Sequence, residues 1–229
     1  MNRRLIEKIV YIAFSVFGAA LWIVITLLDF VFLRDTTTIK YCGIISCFCY
    51  SAYATVKGRR RTLTVLFALL FTLIADFFLL VKNSDYVVGV SAFFVAQCMY
   101  MARIYIEKDK FPLVSVCARV AVAAAMSVVL FVVGAIEPLT VAVAFYACML
   151  VGNAVESFSL VGRGKNFKIF AIGLCLFVCC DVCVGIYNVG SVLNVGLPEI
   201  LVEKSVLAAW VFYLPSQIMI SLSADEIFS

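Results

Sequence analysis

Long apolar stretches alternate with short polar or charged breaks along the whole chain, at intervals that suit a bilayer crossing. A helix of about 20 apolar residues spans the hydrocarbon core. The pattern predicts eight such spans, at residues 9–33, 39–56, 62–81, 86–106, 112–134, 139–160, 167–188 and 200–222. The breaks carry their own signatures: KGRRR at 57–61, a tight turn through Asn83, Ser84 and Asp85, and EKDK at 107–110. Glu137 with Pro138 makes a short turn, GRGKN at 162–166 ends the sixth span, and a Gly- and Asn-containing loop leads to Pro198.

Composition agrees with that reading. Of 229 residues 65% are hydrophobic and 14% charged, with mean hydropathy +1.13. The expectation is an all-α integral membrane protein, an eight-transmembrane-helix bundle forming one domain over residues 1–229 with no room for a soluble one. The basic start (Arg3, Arg4, Lys8) before a long apolar run resembles a secretory leader only superficially, so the run is taken as a retained first span. The N-terminus and the breaks after spans two, four and six, with Arg103 and Lys168 at their flanks, hold 13 Lys/Arg, against Arg34, Lys40, Lys82 and Lys204 on the other side. The positive-inside rule then puts both termini in the cytoplasm, in the plasma membrane if the source is bacterial. Because the basic residues follow topology, the net charge of +4 does not indicate a nucleic-acid partner.

Two apolar runs each contain one carboxylate. ALLFTLIADFFLL holds Asp76, and GLCLFVCCDVCVG holds Asp181. Placing an ionised carboxylate in hydrocarbon is costly, so an acid inside a span is a functional candidate by default. Each lies about 14 residues from the basic end of its span, roughly 21 Å deep at the helical rise. Superposing Asp76 on Asp181 aligns spans one to four with five to eight, which admits two parallel four-helix repeats, 1–110 and 111–229. It also leads to the expectation that spans three and seven are neighbours and that their acids face each other.

Polar stripes on five spans point inward. Ala68, Thr72 and Asp76 share one face of span three; Gly173, Phe177, Asp181 and Gly185 share one of span seven. Span four offers Gly89, Phe93, Gln97 and Tyr100; span six Tyr146, Met149, Asn153 and Glu156; span eight Trp210, Tyr213 and Gln217. A lone Gln or Tyr is usually interhelical glue, so the convergence carries the inference. Pro215 cannot donate to the carbonyl of Val211, which leaves that oxygen to face the cavity. Arg119 and Glu156 lie within two turns of the basic face and are expected to form a structural ion pair or to snorkel. Asp29, near the other end of span one, is expected at the interface.

Histidine is absent, which removes Ser-His-Asp and Cys-His catalysis, His-ligated zinc and His-ligated haem. The ten cysteines lie almost entirely inside apolar spans, where free Cys acts as a small hydrophobe. A thiolate metal site at Cys179, Cys180 and Cys183 is conceivable, but packing explains them better. No cofactor, metal or disulfide is expected.

Four pieces of the chain resemble the lysoplasmalogenase-like, or YhhN, family of membrane proteins. They are LFTLIADFFLL at 70–80, GVSAFF followed by QCMY within 89–100, FVCCD at 177–181, and FYLPSQ at 212–217. Against the family pattern Ala75 stands for a Gly, Gln97 for a His and Cys180 for a Ser. The resemblance implies cleavage of the vinyl-ether bond of lysoplasmalogens to a fatty aldehyde and a glycerophospho-head group. It implies Asp76 and Asp181 as catalytic acids, with Tyr100, Tyr213 and Gln217 in the pocket; Gln97, Thr72 and Asn153 join them as substrate-binding candidates. The implied partners are a lysophospholipid substrate and the lipid bilayer.

That chemistry suits the residues. A vinyl ether is cleaved by protonating its β-carbon, giving an oxocarbenium ion that water captures. Desolvation favours the protonated form of a carboxyl group in general, and paired carboxylates divide acid and base roles in glycosidases. Two other readings stand beside the hydrolase. One is a proton- or cation-coupled transporter, which discontinuous helices would favour. The other is a non-catalytic lipid-binding relative, prompted by Gln97.

Overall fold

The computed structural model describes residues 3–32, 35–57, 62–193 and 196–225. They form eight α-helices and, among the described residues, no strand: α1 (Arg3–Phe30), α2 (Thr37–Lys57), α3 (Leu63–Asp76), α4 (Tyr86–Lys108), α5 (Leu113–Val132), α6 (Pro138–Ser157), α7 (Lys165–Leu193) and α8 (Glu199–Leu222). All except α2 belong to stretches long and apolar enough to cross a bilayer, so the chain is an integral multi-pass membrane protein. The exception, α2, carries Thr37, Thr38, Lys40, Ser46 and Ser51. Arg34, positions 58–61 of the basic break and the tail from 226 lie outside the described residues.

Local chemistry accounts for the helix ends. At α6, Glu137 adopts an extended N-cap conformation and its backbone N–H donates to Thr140 Oγ1 at 2.9 Å, while Pro138 opens the helix where a missing N–H costs nothing. The turn before α4 is tight because Asn83 and Asp85 both take left-handed backbone conformations (φ 49° and 54°), which Asn and Asp tolerate better than most residues. Lys82 pairs with Asp85 across it.

One element is invisible in the hydrophobic pattern. Directly after Asp76 the α3 ladder gives way to a π-helical segment, Phe77–Val81, before the turn. FFLLV contains neither Gly nor Pro, so nothing in its composition signals the change. Such wide turns often accompany functional sites.

Small residues set the interhelical distances. A β-carbon on Gly173 would lie 3.2 Å from both Ser216 O and Ile220 N, so α7 and α8 pack backbone to backbone there. On Gly89 it would meet Leu79 Cγ at 2.5 Å, which lets α4 close on the π segment. Helix α3 packs on α2, α4 and α8; α4 on α6; α6 on α5 and α7; and α1 on α8 and α2. The expected α3–α7 neighbourhood is not what forms: these helices do not pack substantially on each other, and α8, which touches both, joins them.

The carbonyl released by Pro215 is also not left to the interior. Trp22 Nε1 of α1 donates to Val211 O at 3.1 Å, and α1 comes close enough for Gly18 to face Ile218. An unsatisfied carbonyl inside hydrocarbon is expensive, so this contact binds α1 to the proline-broken stretch of α8. Asp29, near the end of α1, is buried by protein at 5% exposure, accepting from Thr36 Oγ1 at 2.5 Å and pairing with Lys40 Nζ at 2.8 Å. The Arg119–Glu156 ion pair forms as expected, at 3.1 Å.

Candidate functional site

Asp76 occupies the last α-helical position of α3, on the buried Ala68–Thr72–Asp76 stripe, and is 4% exposed. Tyr213 of α8 donates its hydroxyl to Asp76 Oδ2 at 2.6 Å. The carboxylate is the electrostatic hub of the interior. It interacts with Tyr41 and Cys47 on α2, Tyr100 on α4, Tyr146 on α6, Cys180 on α7 and Tyr213 on α8. Five helices thus place a polar group within electrostatic range of one acid.

Asp181 has its own tyrosine. The Tyr146 hydroxyl faces it, near enough to interact but without closing a formed hydrogen bond. Unlike Asp76, Asp181 is only partly covered, and Gly185, one turn on, is exposed, so the inward stripe of α7 ends at the acid. Cys180, buried at 6% exposure, is within electrostatic range of both aspartates.

An aromatic wall connects the tyrosines. The Phe93 ring is 5.7 Å from Tyr146, 5.7 Å from Phe177 and 6.3 Å from Tyr213. Phe177 is 5.5 Å from Tyr213, and Trp210 stands edge-on to Tyr213 at 5.1 Å. The arrangement runs from Asp76 through Tyr213 and Phe93 to Tyr146 and Asp181. Each acid therefore has a separate phenol, and the two phenols share one phenylalanine. Close aromatic packing excludes water, which strengthens every electrostatic contact inside it.

Two of the remaining candidates fall one helical turn from the Asp76–Tyr213 pair. Thr72 lies one turn before Asp76, with Tyr100 against it. Gln217 lies one turn after Tyr213, fully buried, and neither of its amide atoms bonds a described residue. Gln97 and Asn153 meet directly, Asn153 Nδ2 donating to Gln97 Oε1 at 3.0 Å. Thr72, Gln97, Tyr100, Tyr213, Gln217 and Asn153 are thus all buried. Sequence stripes named Tyr146, Phe93, Phe177 and Trp210 without assigning them to the site. Phe93 and Phe177 stand at i, i+4 to Gln97 and Asp181, Trp210 at i, i+3 to Tyr213, and Tyr146 two turns before Asn153, so each shares a helix face with a polar residue already chosen.

Two concavities lie apart from the acids. A groove of about 410 Å³, lined by Trp22, Leu176, Phe212 and Pro215 among others, follows α8 on the face of Val211 and Ile218. Another hollow, of about 680 Å³, sits at the turn between α4 and α5. Among the described residues no cluster of His, Cys, Asp and Glu is arranged to hold a metal ion.

No curated protein and no solved structure matches the chain. The model of the YhhN family does match, over residues 35–224, which takes in everything from the approach to α2 to the end of α8, and the chain belongs to that family.

Proposed function

We propose that this protein is a membrane-embedded hydrolase that cleaves the vinyl-ether bond of lysoplasmalogen-type lysolipids, with Asp76 and Asp181 as its acid and base. Membership of a family associated with lysoplasmalogenase activity is consistent with this reading. The observation that carries it is the buried Asp76 carboxyl, held by Tyr213 and joined through Phe93 to the Tyr146–Asp181 pair.

In the reaction one aspartic acid transfers its proton to the β-carbon of R–CH=CH–O–R′. The ether oxygen supplies the electron pair, and an oxocarbenium ion results. The other aspartate, ionised, stabilises that cation and takes a proton from the water that attacks it. The hemiacetal collapses to the aldehyde R–CH₂–CHO and the alcohol HO–R′, so one water is consumed and nothing is oxidised. Positioned proton transfer of this type contributes about 10²–10⁴-fold to rate. All eight helices cross the bilayer in this reading, with both termini cytoplasmic. The two-repeat division at 110/111 is supported by packing: α2 on α3 and α8 parallels α6 on α7 and α4.

The test is aldehyde release from a lysoplasmalogen by the purified protein in detergent. Wild type is expected to release aldehyde, and Asp76→Asn and Asp181→Asn to lose it. Failure of wild type across several head groups would end the proposal. A second reading, a proton- or cation-coupled carrier, draws on the π segment that interrupts α3 at Asp76. Coupled uptake into proteoliposomes without aldehyde release would select it. Retention of lysolipid with neither uptake nor turnover would select the non-catalytic relative.

A further inference from the structure

The buried amides of α4 and α6 form a chain whose direction is set from one end. Arg119 of α5, itself buried, donates from Nη1 to Asn153 Oδ1 at 2.7 Å. A guanidinium has five donors and no acceptor, so the Asn153 atom it meets must be the oxygen. The amide nitrogen of Asn153 is therefore turned the other way, where it donates to the backbone oxygen of Gln97 at 2.8 Å and to Gln97 Oε1 at 3.0 Å. Only an oxygen can receive that contact, so the Gln97 amide is fixed as well. Its NH₂ group points away from Asn153, is fully buried, and bonds no described residue. Side-chain amide orientation is ordinarily open to a flip; here a group that can only donate decides it.

The device is anchored at its start. Arg119 Nη2 is 3.1 Å from Glu156 Oε1, which also accepts from Ser115, and Lys108 approaches the same carboxylate at 3.7 Å. Gly152 leaves the space the guanidinium occupies, since a β-carbon there would come 2.7 Å from Arg119 Cζ. At the far end, Gln97 lies one turn along α4 from Phe93, on the face that meets Tyr213. A charged donor at the head of such a chain polarises each amide after it.

We propose that Arg119 and Asn153 are positioning residues that hold Gln97 as a hydrogen-bond donor toward the space beside Asp76 and Tyr213, where it recognises the free hydroxyl oxygen of a lysolipid's glycerol. This deepens the hydrolase reading and rests on it for the choice of ligand. The acceptor is the hydroxyl and not the vinyl-ether oxygen for an electronic reason. A donor on the ether oxygen would withdraw the electron pair that oxygen must release when the β-carbon is protonated. Anchoring the neighbouring hydroxyl positions the bond and leaves that pair free.

The experiment compares binding of an uncleavable 1-O-alkyl-lysophospholipid with that of its 2-deoxy analogue, using the full chain in detergent. Wild type is expected to prefer the hydroxylated ligand by about tenfold, the scale of one buried hydrogen bond. Gln97→Leu should abolish the preference. Arg119→Gln combined with Glu156→Gln, which removes both members of the buried pair and leaves only the partly exposed Lys108 without its carboxylate, should abolish it too, while Arg119→Lys retains part of it because lysine also only donates. Gly152→Ala displaces the guanidinium while keeping every polar group, so it carries the same expectation of lost preference should the double variant fail to fold. A merely structural role would lower thermal stability and weaken both ligands equally. No preference in wild type, or full preference in the double variant or in Gly152→Ala, overturns the proposal. Because neither ligand is cleaved, absence of aldehyde release would sink the hydrolase reading without deciding this one.

Discussion

Tyr213 and Asp76 stand 137 positions apart, and a 2.6 Å hydrogen bond from the phenol to the carboxyl joins α8 to α3. The contact crosses the interior at the point where α3 changes to its π segment, so the acid is fixed by a neighbour as well as by its own helix. Tyr213→Phe keeps the ring and its packing against Phe93, Phe177 and Trp210 but removes the donor. Aldehyde release is expected to fall roughly tenfold or more, the equivalent of one buried hydrogen bond. Asp76→Asn should cost more, at least about 10²-fold. Equal losses in the two variants would show that the phenol takes part directly in the chemistry.

The Asp181 side of the site should respond differently. Since Tyr146 faces Asp181 without closing a hydrogen bond, Tyr146→Phe removes less than Tyr213→Phe does. A loss of only a few-fold is expected, alongside about 10²–10⁴-fold for Asp181→Asn. Steady-state aldehyde release on the four variants, with unfolding in detergent as the control for folding, tests the ranking.

The Trp22–Val211 contact predicts a rescue. Trp22→Phe leaves the carbonyl released by Pro215 without its donor, at a cost of about 1–3 kcal/mol. Pro215→Ala supplies an N–H from within α8, so the same Trp22→Phe change should cost clearly less in that background. Thermal unfolding of the two single variants and the double variant gives the coupling directly. Additive losses would mean that the indole holds α1 by packing alone.

Asp29 and Lys40 predict an asymmetry. Asp29 is buried and Lys40 largely covered, at 5% and 12% side-chain exposure, so removing Lys40 strands the carboxylate. Lys40→Met is expected to destabilise by about 3–5 kcal/mol, whereas Lys40→Met combined with Asp29→Asn should recover most of that. Unfolding midpoints in detergent separate this outcome from a simple loss of side-chain volume, which the double variant would not restore.

Much of this was legible in the residues. Asn83 with Asp85 and Glu137 with Pro138 each mark a boundary by a chemistry that operates within a few residues, and helices begin or end there. Asp76, Tyr213 and Gln217 were readable because a polar group inside an apolar run stands out locally. What escaped were relations between helices. The face of α8 that carries Tyr213 is written in its i, i+4 spacing, but that it meets α3, and that α3 and α7 do not pack directly, depends on eight helices settling together. Pro215 announced a free carbonyl but not that Trp22, 189 positions from Val211, would claim it. The π segment left no trace because Phe and Leu suit either winding.

That segment has a consequence for how the protein tolerates changes of length. A π turn accommodates one residue beyond what ordinary winding needs. Deleting Leu80 would let Phe77–Val81 tighten to ordinary winding, and because the residue lost is the one the wide turn had accommodated, the hairpin that follows would keep its bearing. Asp76 lies upstream of that segment and would keep its own bearing on Tyr213. The slack ahead of the hairpin thus acts as an expansion joint, letting insertions and deletions in the loop be absorbed before they disturb the carboxyl.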